Sequence, residues 1–478
     1  MDTYNFGDDD LSEGLNPEDR NDMIRRFRQR LNGDAGDDDI SIPNVEVLEE
    51  LVEECIEEES FDEALRLCEH WIRFAPYSHA VWLRKGIVLT NLGRPEEALA
   101  CYDRADALHP SDIDTLINRG VALDSLGLGE QAIECFQRAL AREPENEEAL
   151  FNQAIALERT EQYEPAVALF RSLTGSEMFG KECWYELGYC YDYLDRLDDS
   201  LHAYERYLDE DPYNFNAWYN RGIVLGRKGH FQKAIESYDM ALAIHEEFPA
   251  AWYNKGNSLA NLARLPEAIV CYRETLRFEP EDSSAWFNLG NACEEMGEFT
   301  EAIECFTRVL QFNPENYEAY FGRGSCYDAL EQFEQAVQDY DAALAISPMD
   351  PDLWFARADA LYNLGQVADA INCYRRATEI DPSDVECWYE YAETLYEDGR
   401  FDDSLTAFDN VIRLEPEWSE SHYGRAKSLL AMKRYAELAS SLQNAIRLDP
   451  GIRDEFVVEF PEVAELSEVR QVLLEAKS

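Results

Sequence analysis

Asparagine residues recur along the sequence at intervals that are whole multiples of 34 residues. A carboxamide donates and accepts hydrogen bonds, so a row of asparagines can bind the backbone of an extended peptide whatever its side chains are. The row predicts a peptide-binding surface; the alternative is that the amides only bridge neighbouring segments of the chain. The residues are Asn118, Asn152, Asn220, Asn254 and Asn288, with Asn257 and Asn291 three positions after the last two.

An aromatic residue recurs at the same interval in nine consecutive segments. Exposed rings that line a groove anchor the apolar side chains of a partner. These rings are therefore predicted peptide-binding residues; the alternative is that they are buried against an adjacent segment. They belong to Tyr185, Tyr219, Tyr253, Phe287, Phe321, Phe355 and Tyr389, with Phe151 and Tyr423 at the two ends of the row.

Carboxylates accompany these two rows. Acidic walls select a basic ligand and speed its encounter with the protein. The chain as a whole has 98 acidic and 42 basic residues, a formal net charge of −56, so the alternative is a solvated surface, including one adapted to high salt. The acidic positions are Glu182, Glu186 and Asp192 in one segment, and Glu386, Glu390, Glu393 and Glu397 in another.

Local patterns of catalytic and metal sites are missing from the sequence. It has no glycine-rich phosphate loop, no HExxH and no Gly-x-Ser-x-Gly. Its seven histidines are scattered, none at metal-ligand spacing from another histidine or a cysteine. We therefore expect no enzymatic activity, no metal and no cofactor. The twelve cysteines are expected to be small buried apolar side chains.

The 34-residue interval also fixes the elements that position these side chains. Ten prolines lie on one 34-residue grid from Pro76 to Pro450. Numbered 1 to 34, the first repeat is 45–78 and the twelfth is 419–452. Positions 4, 8 and 11 form one helical stripe and positions 20, 24 and 27 another, and the proline ends the second helix. The pattern predicts two amphipathic helices per repeat, which bury their apolar faces by stacking.

One repeat shows the pattern in full, with Trp252, Gly256, Ala268, Tyr272 and Pro280. This pattern resembles the tetratricopeptide repeat family over the whole of the twelve repeats. The resemblance implies an all-α fold, a right-handed α-solenoid of antiparallel helix pairs whose first helices line a concave groove. It also implies the usual family role, which is binding a peptide segment or a partner protein.

Some members of that family hold acidic peptide tails with lysines and arginines beside groove asparagines. The comparable cations of this chain are too scattered to predict that activity. They are Arg84, Arg159, Arg227 and Lys427.

Three regions are predicted along the chain: an acidic, largely disordered tail at 1–44, twelve repeats at 45–452, and a capping helix at 453–478. The tail contains a possible short basic helix at 18–31, which we hypothesise occupies the chain's own acidic groove. The sequence has neither an apolar stretch of membrane-spanning length nor a signal peptide at its start, so we expect a cytoplasmic protein.

The sequence therefore predicts a non-enzymatic adaptor that binds an extended basic or neutral peptide in the concave groove. The alternative is a structural scaffold that binds partners, or a second copy of itself, through its convex face or its ends. The strongly negative charge disfavours nucleic acid and acidic membranes as partners.

Overall fold

The computed structural model describes residues 45–475, and within this range every regular element is an α-helix. The predictions for the tail at 1–44, including the helix at 18–31, lie outside the described residues. The chain divides into unit 1, which ends at Lys228, and unit 2, which begins at Gly229.

The helices of unit 1 follow the predicted 34-residue interval, with a first and a second helix in each of the first five repeats and the first helix of the sixth. They are α1 Val45–Glu57, α2 Phe61–Phe74, α3 His79–Asn91, α4 Pro95–Leu108, α5 Ile113–Ser125, α6 Gly129–Leu140, α7 Glu147–Arg159, α8 Tyr163–Leu173, α9 Gly180–Tyr193, α10 Leu197–Glu210 and α11 Phe215–Arg227.

Unit 2 continues the same alternation and ends with three shorter helices. Its helices are α12 Phe231–Ile244, α13 Pro249–Asn261, α14 Leu265–Phe278, α15 Ser283–Glu295, α16 Phe299–Phe312, α17 Tyr317–Ala329, α18 Phe333–Ile346, α19 Pro351–Asn363, α20 Val367–Ile380, α21 Val385–Glu397, α22 Phe401–Leu414, α23 Ser419–Ala431, α24 Tyr435–Leu448, α25 Gly451–Glu459, α26 Pro461–Ala464 and α27 Ser467–Glu475.

Local sequence signals set the helix boundaries. Several first helices begin after an Asp or Asn whose side chain accepts a hydrogen bond from a free backbone N–H, as Asn146 Oδ1 does from Ala149 N at 3.0 Å. The turn between the two helices of a repeat contains one residue with a left-handed backbone. Glycine provides it in half of the described repeats, for example Gly297 with φ 77°.

The same contact closes the helix pairs of both units. A Cβ atom at Gly188 would lie 2.7 Å from the Tyr204 ring, and one at Gly324 would lie 2.7 Å from the Tyr340 ring. Both rings are at most 2% exposed. Position 8 is therefore small because the position-24 ring occupies the space where a side chain would be, as the sequence pattern predicts. All twelve cysteines are buried and free.

The C-terminal segment differs from the single capping helix that the sequence predicts at 453–478. It forms α25, α26 and α27, which are interrupted before Pro461 and again before Ser467. Proline cannot donate a backbone hydrogen bond and disfavours helical geometry in the residue before it, which explains the first break. Phe456 and Val469 are nonetheless completely buried in one apolar cluster with Leu442 of the last repeat. None of the described helices combines the length and the apolar character needed to cross a membrane.

Candidate functional site

The candidate site is the first-helix face, which we define in each unit as the side chains at positions 5, 6, 9 and 12 of the first helices. The predicted position-5 rings are half-buried, and Tyr423 is only 6% exposed. Most contact the position-24 ring of their own repeat, with the centroids of Tyr185 and Tyr204 5.9 Å apart and those of Tyr253 and Tyr272 6.2 Å apart. These ring–ring contacts lie within one repeat, and some rings also pack against the next one, as Phe321 does in the clusters with Ala360 and Leu353. Peptide binding by the position-5 rings stays a prediction.

The equivalent contact recurs around the other rings of the row. It joins Phe151 to Phe170, Phe287 to Phe306, Phe321 to Tyr340, Phe355 to Tyr374 and Tyr389 to Phe408.

The position-6 asparagines bond to the protein itself. Asn220 Nδ2 donates to the hydroxyl of Tyr185 in the preceding repeat at 3.1 Å. Asn288 Nδ2 likewise donates to the hydroxyl of Tyr253 at 3.0 Å and to Asn257 Oδ1 at 2.9 Å. These bonds bridge adjacent repeats, which is the alternative function of the row, so a ligand backbone would have to compete for the same amides.

The remaining asparagines of the row differ in their surroundings. Asn118 and Asn152 donate from Nδ2 to the backbone carbonyls of Asp114 and Glu148, at 2.8 and 3.0 Å. Asn254 is half-buried. Asn291 is exposed and lines a shallow cavity of about 250 Å³. Peptide binding by these residues stays a prediction.

Position 9 distinguishes the two units. From the second repeat onward it is aliphatic or aromatic in unit 1, after a glutamate in the first repeat (Glu53), and in unit 2 it is polar or charged. The residues are Ile87, Val121, Ile155, Tyr189 and Ile223 in unit 1, and Asn257, Asn291, Ser325, Asp359, Glu393 and Lys427 in unit 2.

A lysine ammonium lies between a carboxylate and two rings on the face of unit 2. Lys427 Nζ is 3.4 Å from Glu393 Oε2 and 5.4 Å from the ring centroids of both Tyr396 and Tyr423. Its side chain is only 20% exposed. We call Glu393, Tyr396 and Tyr423 the Lys427 cluster, which binds a cation by an ion pair together with cation–π attraction.

One repeat earlier, the same repeat positions carry Asp359, Tyr362 and Tyr389, which we call the Asp359 cluster. The position that corresponds to Lys427 is here occupied by the acid Glu393. Among residues 45–475, no lysine or arginine forms an ion pair with Asp359. Its carboxylate accepts a hydrogen bond from the Tyr374 hydroxyl, and burial, assisted by nearby Glu390, raises the pKa of Asp359 to about 6.

Glu390 adds a further carboxyl beside this cluster. It is half-buried, and burial together with the charge of Glu393 raises its pKa. The Tyr362 hydroxyl donates to Glu397 Oε2 at 2.5 Å. Three of the predicted acidic residues of this repeat, Glu390, Glu393 and Glu397, thus influence one another's charge. Among the described residues, Lys427 is the lysine that forms an ion pair with one of them, Glu393. Such a group favours binding of a further cation.

In unit 1 most of the corresponding acids are paired inside the protein. Asp192 forms an ion pair with Arg227, and Glu182 lies 3.5 Å from the ammonium of Lys181. Glu186 is an exception, because it meets Glu158 of the preceding repeat. Burial raises the pKa of both carboxyls, and the charge of Glu186 raises that of Glu158 further, so Glu158 is the partner that keeps its proton.

The four scattered cations that the sequence singles out on the first helices all form ion pairs between adjacent repeats. Arg84 bonds to Glu53, Arg159 to Asp124, Arg227 to Asp192 and Lys427 to Glu393.

Sequence reasoning named Glu393 and Lys427 but missed their contact with each other and with Tyr396. It also missed the contrast at position 9, although aligning the repeats shows a change from Ile223 to Asn257.

Family models described as tetratricopeptide repeats match much of the chain, at residues 215–248, 283–316, 305–338, 326–365, 351–394 and 389–451. A model described as the N-terminal TPR repeats region of Psidin matches 52–153. One described as subunit 3 of the anaphase-promoting complex, or cyclosome, matches 127–207. The comparison with curated proteins gave no match.

Several solved structures are similar to the chain. MamA (41-end) from Desulfovibrio magneticus RS-1 is 20% identical, with 35% of this chain and 95% of that chain covered and a TM-score of 0.34. The Cut9–Hcn1 hetero-tetramer of APC/C is 13% identical, covering 92% and 97%, with a TM-score of 0.38. YrrB, described as a TPR protein with an unusual peptide-binding site, is 22% identical, covering 42% and 99%, with a TM-score of 0.36. None of these similarities identifies a partner for this chain.

Proposed function

The chain belongs to the tetratricopeptide repeat family, and from that premise we propose that it is a protein-interaction adaptor. Its first-helix face in unit 2 binds an extended segment of a partner through lysine or arginine side chains. Repeats of this family bind protein partners, and none of the matching family descriptions names an enzyme.

One observation carries the proposal, which is the way Lys427 is bound. The chain uses Glu393, Tyr396 and Tyr423 to hold its own ammonium group. The Asp359 cluster has the same kinds of side chain at the same repeat positions but receives no cation from residues 45–475. A lysine from a partner would make the corresponding contacts with Asp359, Tyr362 and Tyr389.

The energetics favour such a ligand. A half-buried carboxylate without a cation has lost water without gaining a compensating charge, so its ionised form is destabilised. Burial raises the pKa of Asp359 and of Glu390 for this reason. A bound ammonium or guanidinium group restores the ionised form, and the tyrosine rings add cation–π attraction.

We also propose that the predicted asparagines and aromatic rings of the concave groove take part in binding. The asparagine row, with exposed Asn291 as its most accessible member, contributes hydrogen bonds to the partner backbone, and the position-5 rings contribute their edges. The proposed regions are a tail at 1–44, repeats at 45–452 and a C-terminal cap at 453–478. The proposed location is the cytoplasm.

The test uses a short fluorescent peptide of alternating lysine and alanine, titrated against the full chain by anisotropy in about 0.15 M salt. Asp359→Asn keeps the shape of the side chain and removes its charge. We expect roughly tenfold weaker binding, because a hydrogen bond to a charged group contributes about 1.5–3 kcal/mol. Asp369→Asn is the matched control, since it removes an exposed charge from α20 with the same change in net charge.

Equal affinities for the two variants would contradict the proposal, because the peptide would then respond only to the overall negative charge. That result would favour the scaffold alternative, in which partners bind the second helices or the ends of the repeat array.

A further inference from the structure

Two histidines and an aspartate of the second repeat meet in unit 1, beside the beginning of the third repeat. His79 is the first residue of α3, His109 follows the last residue of α4, and Asp112 precedes the first residue of α5. His79 Nε2 lies 3.1 Å from Asp112 Oδ2, and His109 Nδ1 lies 3.7 Å from Asp112 Oδ1. The two imidazole rings are 5.3 Å apart.

We propose that His79, His109 and Asp112 form a binding site for a divalent transition-metal ion, with zinc as the ion it takes. Imidazole nitrogens and carboxylate oxygens are zinc ligands, and bond lengths of about 2.0–2.2 Å place tetrahedral ligand atoms roughly 3.3 Å apart. The two measured separations lie on either side of that value. One ligand atom from each of the three residues falls within 4.8 Å of the others.

The surroundings leave room for the rest of the coordination shell. The side chains of His79 and Asp112 are each 22% exposed, and that of His109 is 66% exposed. Three protein ligands with an open side allow water or a partner's side chain to complete the site. His109 also lies at the C-terminal end of α4, where the free carbonyl groups favour a cation.

The turn that brings His109 and Asp112 together has an unusual backbone. Ser111 has φ 62°, and its N–H donates to Asp106 Oδ1 at 2.9 Å. The other non-glycine residues of 45–475 with positive φ lie between the two helices of a repeat, whereas Ser111 lies between repeats. Such a conformation is uncommon for a residue with a side chain and is kept where surrounding contacts require it.

The histidines are scattered along the sequence, and their spacing predicts no metal site. Their spacing is misleading because 30 residues separate His79 from His109, while the fold brings their rings to 5.3 Å from each other. The competing structure is an ordinary hydrogen-bonded cap. Thr115 Oγ1 is 2.9 Å from His79 Nε2 and donates to Asp112 Oδ2 at 2.8 Å.

The experiment is calorimetric titration of zinc chloride into the full chain, stripped with a chelator and kept reduced. We expect one site per chain that is abolished or at least about tenfold weaker in His109→Ala. His109 is exposed, so its loss should leave the fold intact. Asp112→Asn is the second variant, because asparagine still caps α5 but is a weaker metal ligand. His230→Ala, at an exposed histidine in unit 2, is the control and should bind as the wild type does.

Cobalt absorption provides a readout that identifies the ligands. Bound cobalt should show the visible bands of a low-symmetry nitrogen and oxygen site without thiolate charge transfer, and these bands should disappear in His109→Ala. Zinc affinity that is the same in wild type and His109→Ala, or no one-to-one binding in the wild type, would overturn the proposal and leave the three residues as a hydrogen-bonded cap.

Discussion

Unit 1 and unit 2 are built on the same internal contact but present different first-helix faces. In unit 1, position 9 is apolar from Ile87 to Ile223; in unit 2 it is an amide, a hydroxyl or a charge from Asn257 to Lys427. The ring-on-glycine contact beneath it is the same at Gly188 and Gly324. Packing therefore fixes the interior positions, whereas the face is free to differ, and its differences are where we look for function.

The carboxylates on the first helices also differ between the two units in the ion pairs that they form. In unit 1, arginines pair acids between adjacent repeats, as Arg159 does with Asp124 at 2.5 Å. In unit 2, among residues 45–475, the one ion pair formed by the acids around Asp359 joins Glu393 to Lys427. Within the described residues, Asp124 and Asp192 of unit 1 are thus paired with arginine, whereas Asp359 of unit 2 forms no ion pair with lysine or arginine.

The largest expected effect is on the part that the units share. Gly188→Val in unit 1 and Gly324→Val in unit 2 should each destabilise their repeat by about 1–3 kcal/mol, because the new side chain overlaps the Tyr204 or Tyr340 ring. Hydrogen exchange of the full chain would show faster exchange around the substituted repeat. Unchanged exchange for either variant would show that the interior contact is not common to both units.

The next effect separates the units. Lys427→Met should strengthen binding of the lysine–alanine peptide by roughly three- to tenfold, because it frees Glu393, Tyr396 and Tyr423 for an external ammonium group. Lys233→Met removes the same charge from exposed α12 and serves as the control in the anisotropy titration. A similar gain in both variants would reduce the contrast between the units to one of net charge.

A third prediction concerns pH. The pKa of Asp359 is raised to about 6 in the folded state from an ordinary value near 3.8, so the folded state binds more protons between these values. The associated stability is present below about pH 4 and is lost as pH rises through 6. Urea unfolding should show that Asp359→Asn removes a pH-dependent part of about 2 kcal/mol between pH 4 and pH 7.

Peptide binding should change with pH in the opposite direction. Affinity for the lysine–alanine peptide should increase as pH rises through 6, since the ionised carboxylate is the binding form. A wild type whose unfolding and binding follow the same pH profile as Asp359→Asn would rule out this carboxyl as the titrating group.

The smallest effects distinguish asparagines that bridge repeats from those that face outward. Asn288→Ala should cost about 1 kcal/mol in stability, because it removes the hydrogen bonds to Tyr253 and Asn257. Asn291→Ala should change stability by less than about 0.5 kcal/mol, because this side chain is exposed. Thermal unfolding compares the two; equal losses would show that the row is not divided in this way.

The packing of the interior was predictable from the sequence because the same large and small core residues recur at the same positions of each repeat. Trp252, Gly256 and Tyr272 lie at fixed spacing, and that spacing decides which faces of two helices can meet. The ring contacts within a repeat were not predicted, because position 5 lies at the edge of the core stripe and either assignment fits the periodicity.

Contacts that depend on turns between repeats could not be read from the sequence. Histidine does not recur at the repeat position of His79, and the sequence spacing does not show that the rings of His79 and His109 lie 5.3 Å apart. The breaks in the C-terminal segment depend partly on a single residue, Pro461, within an otherwise helical pattern. Periodicity therefore predicts what the repeats share and gives little information on single departures.

The most direct test of the central claim is selection from a random-peptide library on three forms of the full chain. The first is the wild type, and the second carries Asp359→Asn, Glu390→Gln and Glu393→Gln on the first-helix face. The third is a control with the same change in net charge on exposed positions of the second helices, namely Glu304→Gln, Glu334→Gln and Asp369→Asn.

We predict that the wild type and the control recover the same peptides, enriched in lysine and arginine, and that the face variant loses them. Recovery of the same basic peptides by all three forms, or their equal loss from both variants, would contradict the claim that the face of unit 2 binds a basic partner segment.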